Sequence, residues 1–316
     1  MIVDGHTDVI WALARERRKF SEESEIGHVD LPRLRKGNVI AAFFAVFPAW
    51  SDFDIYRGVD YWFSLLEQEE NQLKQVKSIE DLEKCKNESK IGAVLHFEGS
   101  GGIDSEFLSL RNYYRLGLRS IGLSWSNLNR FATGVTFNML TGESYNQDRG
   151  LTETGKELVK ELNKIGIIVD VSHLNEKSFW DVIEQTNKPI IASHSNAYSI
   201  CKHPRNLKDE QIKAIAETNG TIGINFCASF LSSEKKKDQI QLEDIRKHID
   251  YIVNLVGINH VSFGSDYDGA IVPDIIKDVS HFPILVESLE KNGYSNKNLD
   301  KIKSENLMRV MKEVWK

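Results

Sequence analysis

The chain has 316 residues, 41% hydrophobic and 27% charged, a balance that supports an ordinary globular core. Its formal net charge of -6 gives no overall attraction for nucleic acid, which is therefore not an expected partner. Cys85, Cys201 and Cys227 are odd in number and lack C-x-x-C spacing, which argues against a disulfide framework and a cysteine zinc site and fits a reducing cytoplasm.

The first apolar run, IVDGHTD (2–8), reads as a strand. Residues two apart in a strand share a side, so His6 and Asp8 project together from its C-terminal end, where a metal could be held. Taken alone, a strand end running into a polar turn explains the pair equally well. VIAAFFAVF (39–47) is the second run, and YWFSLLEQEENQLKQVK (61–77) has helical apolar spacing. IGAVLHFEG (91–99) carries Glu98 near its end, with His96 two residues deeper as a buried, hydrogen-bonded histidine. LRSIGLSW (118–125) leads into a long segment, 126–150, rich in Asn, Thr and Gly, which could cover a site.

A helix over 152–166 has Thr152 as N-cap and Gly166 as its end. GIIVDVSH (166–173) then ends on His173. The helix 175–186, capped by Asn175, leads to PIIASH (189–194), which ends on His194. Helix 207–220, run GTIGINF (220–226) and helix 241–257 follow. HVSFGS (260–265) precedes Asp266 and Asp268, and helices near 283–292 and 297–314 close the chain. The remaining histidines lie in loops, in helices or at the start of the last run, and read as structural or exposed.

Several runs are continuous rather than alternating, which suits strands buried on both faces of a parallel sheet. About eight strands alternating with helices predict a single (β/α)8 TIM barrel over 1–316; a doubly wound open sheet is the competing architecture. Such a barrel carries its active site at the C-terminal strand ends. His6, Asp8, Glu98, His173 and His194 all fall at that end. Each is unremarkable alone, but buried imidazoles and carboxylates are costly without partners, and together they can share cations. Five ligands exceed one tetrahedral site. Two zinc-like ions bridged by Glu98 are the natural arithmetic.

The stretches DGHTD (4–8), HFEGS (96–100), GLTETGKELVKELNKIGIIVDVSH (150–173), SHSNAYSICKHPRN (193–206) and FGSDYDG (263–269) make the chain similar to the membrane dipeptidase (renal dipeptidase) family of zinc peptidases. That resemblance implies two zinc ions: one held by His6, Asp8 and Glu98, the other by the bridging Glu98 with His173 and His194. It implies dipeptide hydrolysis by a metal-bridging hydroxide, Asp266 as acid/base and Arg205 as receiver of the substrate carboxylate. Asp268 is assigned to structure. Where some members carry an oxyanion-binding histidine, this chain has Trp125. Either the zinc ions carry that stabilisation alone, or a residue of 126–150 supplies a donor.

The sequence also shows no secretion signal and no run of roughly 18 apolar residues, so a cytoplasmic protein without membrane attachment is expected. A homodimer is compatible with the chain, which does not itself fix an oligomeric state. Two rival readings keep the barrel: hydrolysis of another small amide, lactam or ester, and a catalytically silent binding protein.

Overall fold

The computed structural model describes residues 1–137, 144–145 and 148–316. Eight parallel strands form its centre: β1 (Ile2–Thr7), β2 (Val39–Val46), β3 (Ile91–Glu98), β4 (Leu118–Gly122), β5 (Ile168–Asp170), β6 (Ile191–Ala192), β7 (Thr221–Ile224) and β8 (Val261–Phe263). Each pairs with its neighbour in chain order, and β1 pairs with β8 as well as β2, so the sheet closes. This is the (β/α)8 barrel, and closure excludes the open doubly wound sheet. The strands are apolar on both faces because helices cover the outside and side chains fill the inside.

The helices begin and end where side chains can satisfy their free backbone groups. Thr152 accepts from the Gly155 N–H at the start of Glu153–Ile165, and Gly166 at φ +90° ends that helix in the left-handed conformation. Asn175 caps Glu176–Gln185 in the same way through the Ser178 N–H. One expectation is corrected. The helix placed at 61–77 runs instead over Asp52–Glu67, because Ser51 and Asp54 form a capping box that starts it earlier. It stops at Glu67, where buried Asn71 donates to the Leu65 carbonyl, and Leu73–Gln75 becomes a short strand beside the start of β3. Among the described residues, five further helices escaped the sequence reading: Val9–Glu16, Leu31–Lys36, Ile79–Asn87, Leu108–Leu116 and Ala228–Leu231. None is longer than 9 residues, too short for a helical period to stand out.

Inside the barrel, Val3, Phe43, Val94, Ile168 and Ile191 form a dry lower layer. The C-terminal helix Asn306–Val314 packs Leu307, Val310, Met311 and Val314 against it. That end is therefore closed by apolar contact, and polar groups are left to the opposite mouth. Of the segment 126–150, a short antiparallel pair, Thr136–Phe137 with Ser144–Tyr145, is described; 138–143 and 146–147 lie outside the described residues. Among the described residues no helix is long and apolar enough to cross a membrane. The three cysteines carry free thiols.

Candidate metal centre

β1 delivers His6 by an irregularity. Asp4 lies opposite Ala42 and Thr7 opposite Phe44, so three steps along β1 match two along β2. Such a bulge flips the facing of the residues beyond it. Val3 points into the barrel below the bulge, and His6 also points inward above it, with its ring edge-on to His96 at 5.3 Å between centroids. Asp8 follows directly at the start of Val9–Glu16, where its N–H donates to the Tyr267 carbonyl. A Cβ at Gly269 would lie 2.0 Å from Asp8 Oδ2, so only glycine lets that loop approach.

The five expected residues meet around one carboxylate. His173 Nε2 is 2.9 Å from Glu98 Oε1, and His6 Nε2 and His194 Nε2 are each 3.7 Å from it. His6 Nε2 is 3.3 Å from Asp8 Oδ2, and His173 and His194 bring their Nε2 atoms to 2.9 Å of each other. All five are buried or nearly so. His6, Glu98 and His194 each offer an atom within 4.8 Å of the other two; His6, Asp8 and Asp266 do the same.

This donor set fits divalent cations. Both ring nitrogens of His6 and Asp8 Oδ1 are buried without a hydrogen-bond partner among the described residues. Burying such atoms unpaired is costly, and a cation removes that cost. The protein alone answers with protons. Burial and the Asp8 carboxylate push Glu98 well above the usual carboxyl range. Burial lowers the His6 pKa, but Glu98 and Asp8 more than reverse this and hold it up to about 10. Burial, with nearby Arg205 and His6, drives His173 and His194 well below the usual imidazole range, so both stay neutral and suited to ligation.

A second layer orients the imidazoles. His194 Nδ1 is 2.7 Å from Ser193 Oγ, which donates to Asp170 Oδ2 at 2.6 Å. Ser172 Oγ donates to Asp170 Oδ1 at 2.7 Å. His173 Nδ1 meets Ser126 Oγ at 3.0 Å. Because Ser193 Oγ gives its hydrogen to Asp170, His194 Nδ1–H donates to it and the His194 Nε2 lone pair faces the cluster; Ser126 holds the outward edge of the His173 ring. The sequence reading missed Asp170, Ser193, Ser172 and Ser126. The signal for Asp170 was present: an acid inside the apolar run IIVDV must have a buried partner. His96 lies below the cluster, its Nδ1 3.0 Å from Ser120 Oγ and its Nε2 3.7 Å from Asp170 Oδ2.

Asp266, at φ +61°, accepts from Asn225 Nδ2 at 2.9 Å; burial, with the Asp8 charge and against the pull of His6, raises its pKa to about 6. Asp268 turns away, accepting from Arg18 Nη2 at 2.7 Å. Arg205 is buried beside the cluster. Its Nη1 donates to the Ser172 carbonyl and its Nη2 to the His194 carbonyl at 3.3 Å, while Nε has no partner among the described residues. The Trp125 ring lies 5.6 Å from that of His173.

Comparison with known proteins shows the family. The family model for membrane dipeptidase (peptidase family M19) matches residues 1–316. An uncharacterised protein of Klebsiella pneumoniae is 40% identical over 79% of this chain and 92% of its own length. A metallo peptidase from Rhodobacter sphaeroides, solved with a phosphinate mimic of the dipeptide L-Ala-D-Ala, superposes with a TM-score of 0.91 at 30% identity, covering 99% of both chains. Dipeptidase AC, a metallo peptidase of family M19, superposes with a TM-score of 0.92 at 31% identity over 99% of this chain and 98% of its own. The chain belongs to the membrane dipeptidase family, peptidase family M19, and is a metallo-dipeptidase.

Proposed function

We propose that this enzyme hydrolyses dipeptides with two zinc ions, one held by His6, Asp8 and Glu98 and the other by Glu98, His173 and His194. The observation that carries this reading is the meeting of these five side chains at the C-terminal mouth of the barrel, with both His6 ring nitrogens and Asp8 Oδ1 buried without a hydrogen-bond partner among the described residues. When bound, the ions polarise the scissile carbonyl and make a nucleophile available at neutral pH. Asp266 takes a proton from the nucleophile and delivers it to the leaving amine. Its carboxylate lies beside His6 and Asp8, within reach of a nucleophile held there, and Asn225 holds its second oxygen in place.

Arg205 receives the substrate carboxylate. Two of its nitrogens are tied to backbone carbonyls, which fixes the guanidinium and leaves Nε to donate. A charge-assisted bond at that fixed point limits the substrate to two residues, because a longer peptide has no carboxylate there. Arg205→Ala is expected to raise KM for dipeptides roughly 10- to 100-fold with a smaller change in kcat. Steady-state kinetics on Ala-Ala checks this, and an unchanged KM places carboxylate recognition elsewhere.

The mimic bound to the Rhodobacter sphaeroides neighbour supports a dipeptide substrate here. Elemental analysis alongside turnover of L,L- and L,D-dipeptides tests the whole reading. Two equivalents of zinc are expected, with turnover lost to a chelator and restored by zinc. Undiminished cleavage by metal-free protein overturns it.

A further inference from the structure

Trp125, Phe47 and Trp50 form an aromatic wall at the barrel mouth, and the metal cluster does not use it. Trp125 follows β4 and stacks toward His173 at 5.6 Å between ring centroids. Phe47 lies 5.5 Å from Trp125, Trp50 lies 6.2 Å from it, and the two are 5.9 Å from each other. The three rings thus run from a candidate ligand outward to solvent, where Trp50 is 50% exposed. Half-exposed tryptophan costs hydration unless a ligand covers it.

Topology says which part of a ligand reaches this wall. Phe47 and Trp50 follow β2, and Arg205 follows β6. In a closed eight-stranded barrel joined in chain order, β2 and β6 face each other across the axis. The cluster reaches from Glu98, at the end of β3, to His194, just beyond β6, and Trp125, which follows β4, joins the β2 side of the wall to His173. A dipeptide with its carboxylate at Arg205 and its scissile carbonyl over the cluster therefore directs its N-terminal residue at the wall.

We propose that Trp125, Phe47 and Trp50 form the subsite for the side chain of the substrate's N-terminal residue, and that they select large apolar or aromatic side chains over glycine. This rests on the dipeptidase reading above. The wall offers ring faces, which suit an apolar or aromatic side chain by offset or edge-on stacking. An apolar subsite of this kind discriminates by roughly tenfold or more between a filling side chain and none.

The test compares kcat/KM for Phe-Gly and Gly-Gly in the zinc-loaded enzyme and in Trp50→Ala and Trp50→Phe. Phe-Gly is expected to exceed Gly-Gly by about tenfold or more. In Trp50→Ala that ratio falls several-fold, and Trp50→Phe restores most of it, which a merely structural role for Trp50 would not produce. A wild-type ratio near one, or a ratio unchanged in Trp50→Ala, overturns the subsite. If zinc-loaded wild type cleaves neither dipeptide, the dipeptidase reading fails, and the subsite with it.

Discussion

Glu98→Ala is expected to lose bound metal and dipeptide turnover together while the barrel stays folded. Glu98 Oε1 lies within 3.7 Å of three imidazole nitrogens, so its loss removes a ligand from both halves of the cluster at once. Turnover should fall by well over roughly a thousandfold, since a bound divalent ion lowers the pKa of water from about 16 to about 7. The fold should survive for a local reason. In metal-free protein burial disfavours the Glu98 charge and Asp8 and Asp266 crowd it, so its removal takes away an unfavourable burial as well as contacts. The core that closes the barrel lies at the other end. Elemental analysis and thermal melting with and without zinc check this. Wild type should gain about 3 kcal/mol from zinc at a hundredfold excess over Kd, and the variant should gain almost none. A variant that keeps both ions and normal turnover refutes the bridging role.

Asp266→Asn is expected to lower kcat by about 10²- to 10⁴-fold while metal content and KM change little. Asparagine keeps the shape and can still bond Asn225, but it cannot accept and return a proton. The geometry makes the outcome discriminating. Asp266 also lies close enough to His6 and Asp8 to share an ion with them. Loss of one equivalent of zinc in the variant would make Asp266 a ligand, and full activity would remove it from the chemistry altogether.

Much of this was legible in the chain. Continuous apolar runs gave all eight barrel strands, because a strand covered on both faces has no polar side to show. Thr152, Asn175 and Gly166 marked helix ends, because capping is a local matter of a few neighbouring groups. The five clustered residues were found for a similar reason: each closes an apolar run, and barrel geometry brings such ends together. The failures have physical causes too. Helix 61–77 was misplaced because its apolar spacing continues past Glu67, whereas its true limits are set by Ser51 with Asp54 and by buried Asn71.

The sequence by itself determined the eight barrel strands and the five polar residues that end them at one mouth, since an apolar run and the residue that closes it are local features of the chain. Tertiary structure alone decided how those groups face. Simple alternation from Val3 would turn His6 outward; the extra residue against β2 turns it in. Asp170 acquires its role only because Ser193 arrives from the next strand, and Phe47, Trp50 and Trp125 become one surface only because separate loops meet. Side-chain direction and non-local contact depend on register and packing between strands, which no single stretch of the chain encodes.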